Sequence, residues 1–595
     1  MNRVFAAPRM GLGVFSVIAV GVGIITGFGA IAFRGLIGFL HNVFFLGQFD
    51  WVYNANIYTP PSPWGPWVIL VPIIGGLGVT FLVTKFAPEA RGHGVPEVMD
   101  AIFYQDGKIR PVVAIVKSLA SALAIGTGAA VGREGPIIQI GASLGSTVGQ
   151  CVRMESWQRL TLVAAGAGAG IAATFNTPIG GVMFAIELML PEVSVRTFLP
   201  VALATGTATF IARLFLGLNP AFSIPPIFLT SDHTSSLFSL VLFAALGVVC
   251  GFASIGFIRG LHLCEDIFEH IKNAYLRHSV GMLLLGLMMY GFFFYTGHYH
   301  IEGVGYSTVQ DILLGGLTAA PLLALLFFGK LIATSVSLGS GSSGGIFSPS
   351  LFMGAAIGGA FGAAVHLIAP GADITIAACA MVGMAAIVGG ATGAAMTAVT
   401  MIFEMTRDYD IVMPMIMAVA ISIGIRRIFS RENIYTIKLV ARRHFIPKAM
   451  HANMFLVRQA GDVMDKDMMV LPADMPFDEF LQLPEHHAGL RHVVITQGTR
   501  IAGVLRVNTS LRRGLGGSYT GVTLGAVASK NFVIAREDAI MFKVIGRMWR
   551  HKASMIVVVK SRGIPHKADV AGIITKEHIA DSVAESVRPY AQSDM

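Results

Sequence analysis

Charge is scarce in this chain. Asp, Glu, Lys and Arg make up 13% of its 595 residues, where an ordinary soluble domain carries about 25%. The gap is filled by apolar runs at roughly 11–33, 67–86, 112–131, 159–190, 196–217, 236–261, 280–296, 317–338, 350–369, 374–403 and 411–425. Several reach the ~20 residues that cross a bilayer core; others are shorter or interrupted by Gly and Pro, as in the broken helices of transporters. A soluble enzyme is excluded as the overall class, and a polytopic α-helical membrane protein is expected.

Cysteine is nearly missing too. Cys151, Cys250, Cys264 and Cys379 lie far apart with no CxxC spacing, which excludes a disulfide framework and reads as small core residues. Walker and HExxH motifs are absent, and nothing points to catalysis, a metal site or a required cofactor. His486, His487 and His492 in the tail read as a solvated loop rather than a metal site. The net charge of +9 does not imply nucleic acid. Arg426, Arg427, Arg431, Lys438, Arg442 and Arg443 cluster just after the last apolar run, where positive charge marks the cytoplasmic side. Both termini are expected in the cytoplasm, with the chain in the cell (plasma or inner) membrane. The run after Arg3 and Arg9 is too long for a signal peptide and reads as a retained first helix.

Character changes near residue 440. Short β-like runs follow, HVVIT (492–496), IAGVLRV (501–507), ASMIVVVK (553–560) and DVAGIIT (569–575), alternating with amphipathic stretches. They predict a soluble α/β tail of two similar modules, 461–512 and 522–585, after a linker at 441–460. The stretch GLGGSYTG (514–521) has a connector's composition.

The membrane part, 1–440, repeats. Pro136 is followed by Gly141, Gly145 and Gly149, and Pro349 by Gly354, Gly358 and Gly362, both with Pro-x4-Gly-x3-Gly-x3-Gly spacing. Each set precedes an apolar helix carrying an acid, Glu187 in GGVMFAIELM and Glu404 in MTAVTMIFEM. One stripe of small residues could serve packing alone. Two in the same order indicate duplication, and such interrupted segments point to a binding site.

Pro favours a helix's first turn and Gly lets the preceding backbone turn tightly. Gly92-His93-Gly94-Val95-Pro96, Gly132-Arg133-Glu134-Gly135-Pro136 and Gly344-Gly345-Ile346-Phe347-Ser348-Pro349 therefore read as three helix starts at membrane depth. Helix starts present free N–H groups and partial positive charge, suited to an anion. A carboxylate deep in the membrane costs roughly 3 kcal/mol, and a helix terminus returns up to about 2 kcal/mol. A proton or a competing anion could therefore displace Glu134, which makes it a candidate gate; the alternative is a static Arg133–Glu134 pair.

GHGVP, GREGP and GGIFSP, in this order and followed by paired modules, resemble the CLC family of chloride channels and chloride/proton antiporters over residues 10–440. The tail resembles a CBS domain pair. The resemblance implies a homodimer with one pore per subunit, each built from two inverted halves of tilted and partial helices in the lipid bilayer. It implies that Glu134 gates chloride or another small anion, and that His93, Gly94, Arg133, Gly135, Gly345, Ile346, Phe347 and Tyr435 contact the anion. Glu134 and Glu187 are the proton-path candidates, and the tail's candidate ligand is an adenine nucleotide at Thr575 and Glu577.

Two departures matter. His93 stands where the family usually places a serine. Leu188 stands where antiporters usually carry an inner proton-relay glutamate, which predicts channel-like or weakly proton-coupled transport, with tightly coupled exchange as the alternative. A cation channel with a regulatory tail would want carboxylate and carbonyl ligands. A fluoride exporter of the same family would lack the tyrosine and the GxFxP turn. Chloride versus nitrate stays open.

Overall fold

The computed structural model describes residues 10–152, 154–224, 237–444, 446, 454–481, 483, 491–507, 521–560 and 566–581. It forms two units, Met1–Pro447 and Lys448–Met595.

In the first unit, eight helices among the described residues are long and apolar enough to cross a membrane. The order in the first half is α1 (Leu12–His41), α2 (Val71–Phe86), α3 (Val95–Tyr104), α4 (Val112–Gly126), α5 (Glu134–Cys151), α6 (Ser156–Phe175), α7 (Pro178–Phe184, continued as a π-turn to Met189) and α8 (Val195–Leu216). The second half repeats it with α9 (Leu237–Glu269), α10 (Ala274–Thr296), α11 (Tyr306–Leu313), α12 (Ala320–Ser340), α13 (Phe347–Ile368), α14 (Ile376–Thr392), α15 (Ala395–Thr406) and α16 (Val412–Phe429); α17 (Thr436–Ala441) follows. Packing partners repeat as well: α5 lies on α6 as α13 lies on α14, and α1 on α8 as α9 on α16.

The glycine stripes explain the tightest crossings. A Cβ on Gly141 would stand 2.1 Å from the Gly166 carbonyl oxygen, and one on Gly354 would stand 2.4 Å from that of Gly383. Both are impossible contacts, so only glycine lets these backbones touch. The apolar runs 159–190 and 374–403 each break into two helices. Asn176 (φ 62°) and Gly393 (φ 78°) take the left-handed conformation at the breaks, and Pro178 starts the next helix of the first half.

The acids of the two halves are exchanged. Glu404 accepts from the N–H groups of Ile179 and Gly180 at 3.1 and 2.7 Å. Glu187 accepts from those of Met396 and Thr397 at 2.9 and 2.8 Å, and from the Thr397 hydroxyl at 2.7 Å. Each caps a helix start belonging to the other half, where the first N–H groups would lack partners. Cys250 and Cys379 are buried, whereas Cys264 is half-buried and Cys151 exposed at the end of α5, so the core reading fits only two of the four.

The described residues of the second unit form two matching three-stranded sheets. β1 (Met468–Pro472) runs parallel to β2 (His492–Gln497), which pairs antiparallel with β3 (Arg500–Arg506). β4 (Phe532–Arg536), β5 (Met555–Val559) and β6 (Val570–Thr575) repeat the pattern. Val494 and Val504 of the first sheet share a core with Val557, Val559 and Ile573 of the second. β1 and β4 were not among the strands expected. Residues 514–520 of the connector, and His486 and His487, lie outside the described residues. His492 corrects the solvated-loop reading: it begins β2 and is 2% exposed.

Candidate functional site

The starts of α3, α5 and α13 meet because their approach turns are bonded to one another. Gly92 donates to the Ser342 carbonyl at 3.2 Å and accepts from Gly344 N–H at 3.3 Å; Gly132 and Gly345 exchange N–H to C=O bonds at 2.7 and 2.6 Å. A Cβ on Gly135 would stand 2.2 Å from the His93 carbonyl oxygen, and one on Gly345 would stand 2.7 Å from Gly135 N. Gly92 and Gly94 have φ of 75° and 81°, which a side chain would oppose.

Two buried lysines hold the turns. Lys117 Nζ on α4 donates to the carbonyls of Ala90 and Gly92 at 2.9 and 2.7 Å. Lys330 Nζ on α12 donates to Ile301 and Gly303 at 2.9 and 2.7 Å. The correspondence shows that Gly303-Val304-Gly305-Tyr306 is the second half's version of Gly92-His93-Gly94-Val95. A charged residue inside an apolar run is an expensive placement and was a readable signal.

Glu134 is fully buried. Its Oε1 accepts from the hydroxyls of Tyr306 and Ser348, and its Oε2 accepts from Ser348 N–H at 3.1 Å. The two hydroxyl oxygens are also 2.7 Å apart. These three oxygens form a triangle whose edges can hold three protons. The hydroxyls supply two, so the third edge fills only when Glu134 itself carries a proton.

Arg133 does not pair with its neighbour. Its guanidinium carbon lies 5.1 Å from the Tyr306 ring centre and 5.9 Å from that of Phe175, a cation–π arrangement. His93 is 1% exposed, and neither ring nitrogen has a hydrogen-bond partner. Its ring centre is 5.8 Å from that of Tyr435, which is also buried. Gly94 faces Gln139, whose Oε1 is likewise unpartnered. Ile346 and Phe347 are buried at the start of α13. The structure thus gathers His93, Gly94, Glu134, Gly135, Gly345, Ile346 and Phe347 around three helix starts, with Tyr435 against His93. Such a cluster offers N–H donors and no carboxylate but Glu134, the chemistry of an anion route.

Other expected residues lie elsewhere. Glu187 is at the start of α15, engaged as a cap. In the tail, the buried Thr575 hydroxyl accepts from His578 N–H at 3.2 Å, and Glu577 pairs with Arg506 at 2.7 Å. After α16, Lys438 pairs with Glu265 at 2.5 Å and Arg442 with Glu97 at 2.6 Å.

A bundle of paired half-repeats whose helix starts converge on a buried acid defines a membrane anion-transport protein. The family model described as "Voltage gated chloride channel" matches residues 75–427. The H(+)/Cl(-) exchange transporter ClcA of Vibrio parahaemolyticus serotype O3:K6 is 30% identical over 426 residues, 70% of this chain and 87% of its own length. A solved slow cyanobacterial Cl-/H+ antiporter superposes with a TM-score of 0.63 at 27% identity, covering 72% of this chain and 97% of that one. A eukaryotic CLC transporter shares the fold over 95% of this chain and 97% of its own, with a TM-score of 0.60 at 19% identity. The chain belongs to the CLC family of multi-pass membrane transport proteins.

Proposed function

We propose that this protein exchanges chloride for protons across the cell membrane, as a homodimer, with Glu134 alternately blocking the anion route and carrying the proton. The observation that carries the reading is the Glu134 carboxylate, buried between the starts of α5 and α13 among hydroxyls that accommodate it with or without a proton. Relatives named as H(+)/Cl(-) exchange transporters support coupling over the channel-like behaviour that Leu188 predicts. His93, Tyr435 and the N–H groups of Ile346 and Phe347 form the central anion contact. The tail is cytoplasmic, and Thr575 with Glu577 is its candidate adenine nucleotide contact, which calorimetry with ATP and AMP tests.

The deciding experiment records chloride efflux and external pH together on purified protein in liposomes. Outward chloride flow should draw protons inward at a fixed ratio, and Glu134→Gln should abolish proton movement while chloride flux persists. Chloride flux without proton movement in the parent protein would restore the channel reading.

A further inference from the structure

We propose that Tyr306 and Ser348 form a hydroxyl latch that retains the Glu134 side chain in the anion route and so sets how often the route opens. The proposal rests on the reading of Glu134 as the gate.

Tyr306 is the first residue of α11 and is 2% exposed. Its ring is wedged edge-on against Phe222 at 5.4 Å, and Arg133 covers it. Gly305 before it has φ of 75°, and Lys330 anchors the same turn through Ile301 and Gly303. The hydroxyl is therefore held by packing and by a clamped turn, and little further ordering is needed for it to bind. Phenylalanine would fill the same ring site; among the described residues the hydroxyl bonds to Glu134 and Ser348 alone.

Ser348 offers the same carboxylate both its N–H and its hydroxyl. Serines and threonines in this bundle commonly return their hydroxyl to the carbonyl one helical turn back, as Ser350 does to Ile346 at 2.8 Å. Ser348 lies in the first turn of α13, and its hydroxyl goes to Glu134 instead.

The latch is not inherited from the duplicated scaffold. The places equivalent to Tyr306 and Ser348 in the first half are Val95 and Gly135, and neither carries a hydroxyl. One half alone supplies the donors, and the other half alone supplies the acid. The latch acts in both protonation states, because a protonated Glu134 closes the oxygen triangle and an ionised one accepts from both hydroxyls. A hydrogen bond to a charged group changes a two-state ratio by about tenfold or more.

The test uses the full chain in liposomes, with chloride turnover measured for Tyr306→Phe and Ser348→Ala, each with Glu134 intact and with Glu134→Ala. Each single variant should raise turnover about threefold to tenfold, and neither should change turnover once Glu134 is alanine. An equal change in both backgrounds would overturn the latch, as would slower or unchanged transport in both variants with Glu134 intact. If Glu134→Ala alone leaves chloride flux and proton movement like the parent, the gate reading falls and takes the latch with it. If Glu134→Ala uncouples transport but the hydroxyl variants do nothing, only the latch falls.

Discussion

Gly132 and Gly345 bond to each other twice, N–H to carbonyl in both directions, at 2.7 and 2.6 Å. They hold equivalent places in the two halves, so the reciprocal pair relates the halves as a two-fold axis would. The duplication thereby acquires a use: two copies of one turn, facing opposite ways, pair with each other and aim α5 and α13 at a common point. Neither helix start alone would enclose an anion.

That convergence depends on missing side chains. Gly135→Ala would place a methyl 2.2 Å from the His93 carbonyl oxygen, forcing α3 and α5 apart. Overpacking of this kind costs about 1–3 kcal/mol. Thermal unfolding in detergent should show the loss, and chloride flux per folded protein should fall as well. Unchanged flux would mean that the anion does not use this junction.

His93 keeps two unpartnered ring nitrogens in a buried place against Tyr435. An unpaired buried polar group is costly unless a ligand or water satisfies it. His93→Ser should change the chloride-to-nitrate preference by about twofold to tenfold, the worth of one ordinary hydrogen bond. Competition flux assays measure this directly, and an unaltered preference would reduce His93 to scaffold.

The exchanged acids separate structure from proton transport. Glu187→Gln and Glu404→Gln should each lower stability by about 1 kcal/mol, the usual worth of a helix cap, while the ratio of protons to chloride stays constant. If Glu187→Gln instead ends proton movement without lowering the melting temperature, Glu187 belongs to the proton route and its capping role is secondary.

The tail should weaken in mild acid. Burial, and then neighbouring His578, hold His492 below its ordinary value, which is near 6.5. The unfolded tail thus takes up this proton before the folded tail does. Its stability is full above about pH 6.5 and declines as pH falls below that value. Protection of the β2 amides in the full-length protein, corrected for the intrinsic pH dependence of exchange, should fall as pH drops from about 6.5 to about 5.5, and His492→Leu should flatten the difference.

Much of this was written locally. Apolar runs, Gly-x3-Gly stripes and Gly–Pro turns act through the chain's own composition and neighbours, so membrane class, helix starts and duplication were legible without a fold. Even the breaks at Asn176 and Gly393 have local causes, though the unbroken apolarity of 159–190 and 374–403 concealed them. Lys117 and Lys330 were readable as misplaced charges but not as a matched pair.

What the sequence by itself determined is which groups sit at helix starts and which of them can carry charge or a proton. Only the tertiary structure decided what those groups meet. Tyr306 and Glu134 are 172 positions apart, Glu187 and Met396 are 209 apart, and neither pairing has a periodicity or spacing that announces it. Both arise where two halves of one chain cross, because a membrane interior offers no water to satisfy a buried carboxylate or a helix's first N–H groups. The fold satisfies them with each other: Glu187 and Glu404 take helix-start N–H groups of the opposite half, and Glu134 takes the Tyr306 and Ser348 hydroxyls.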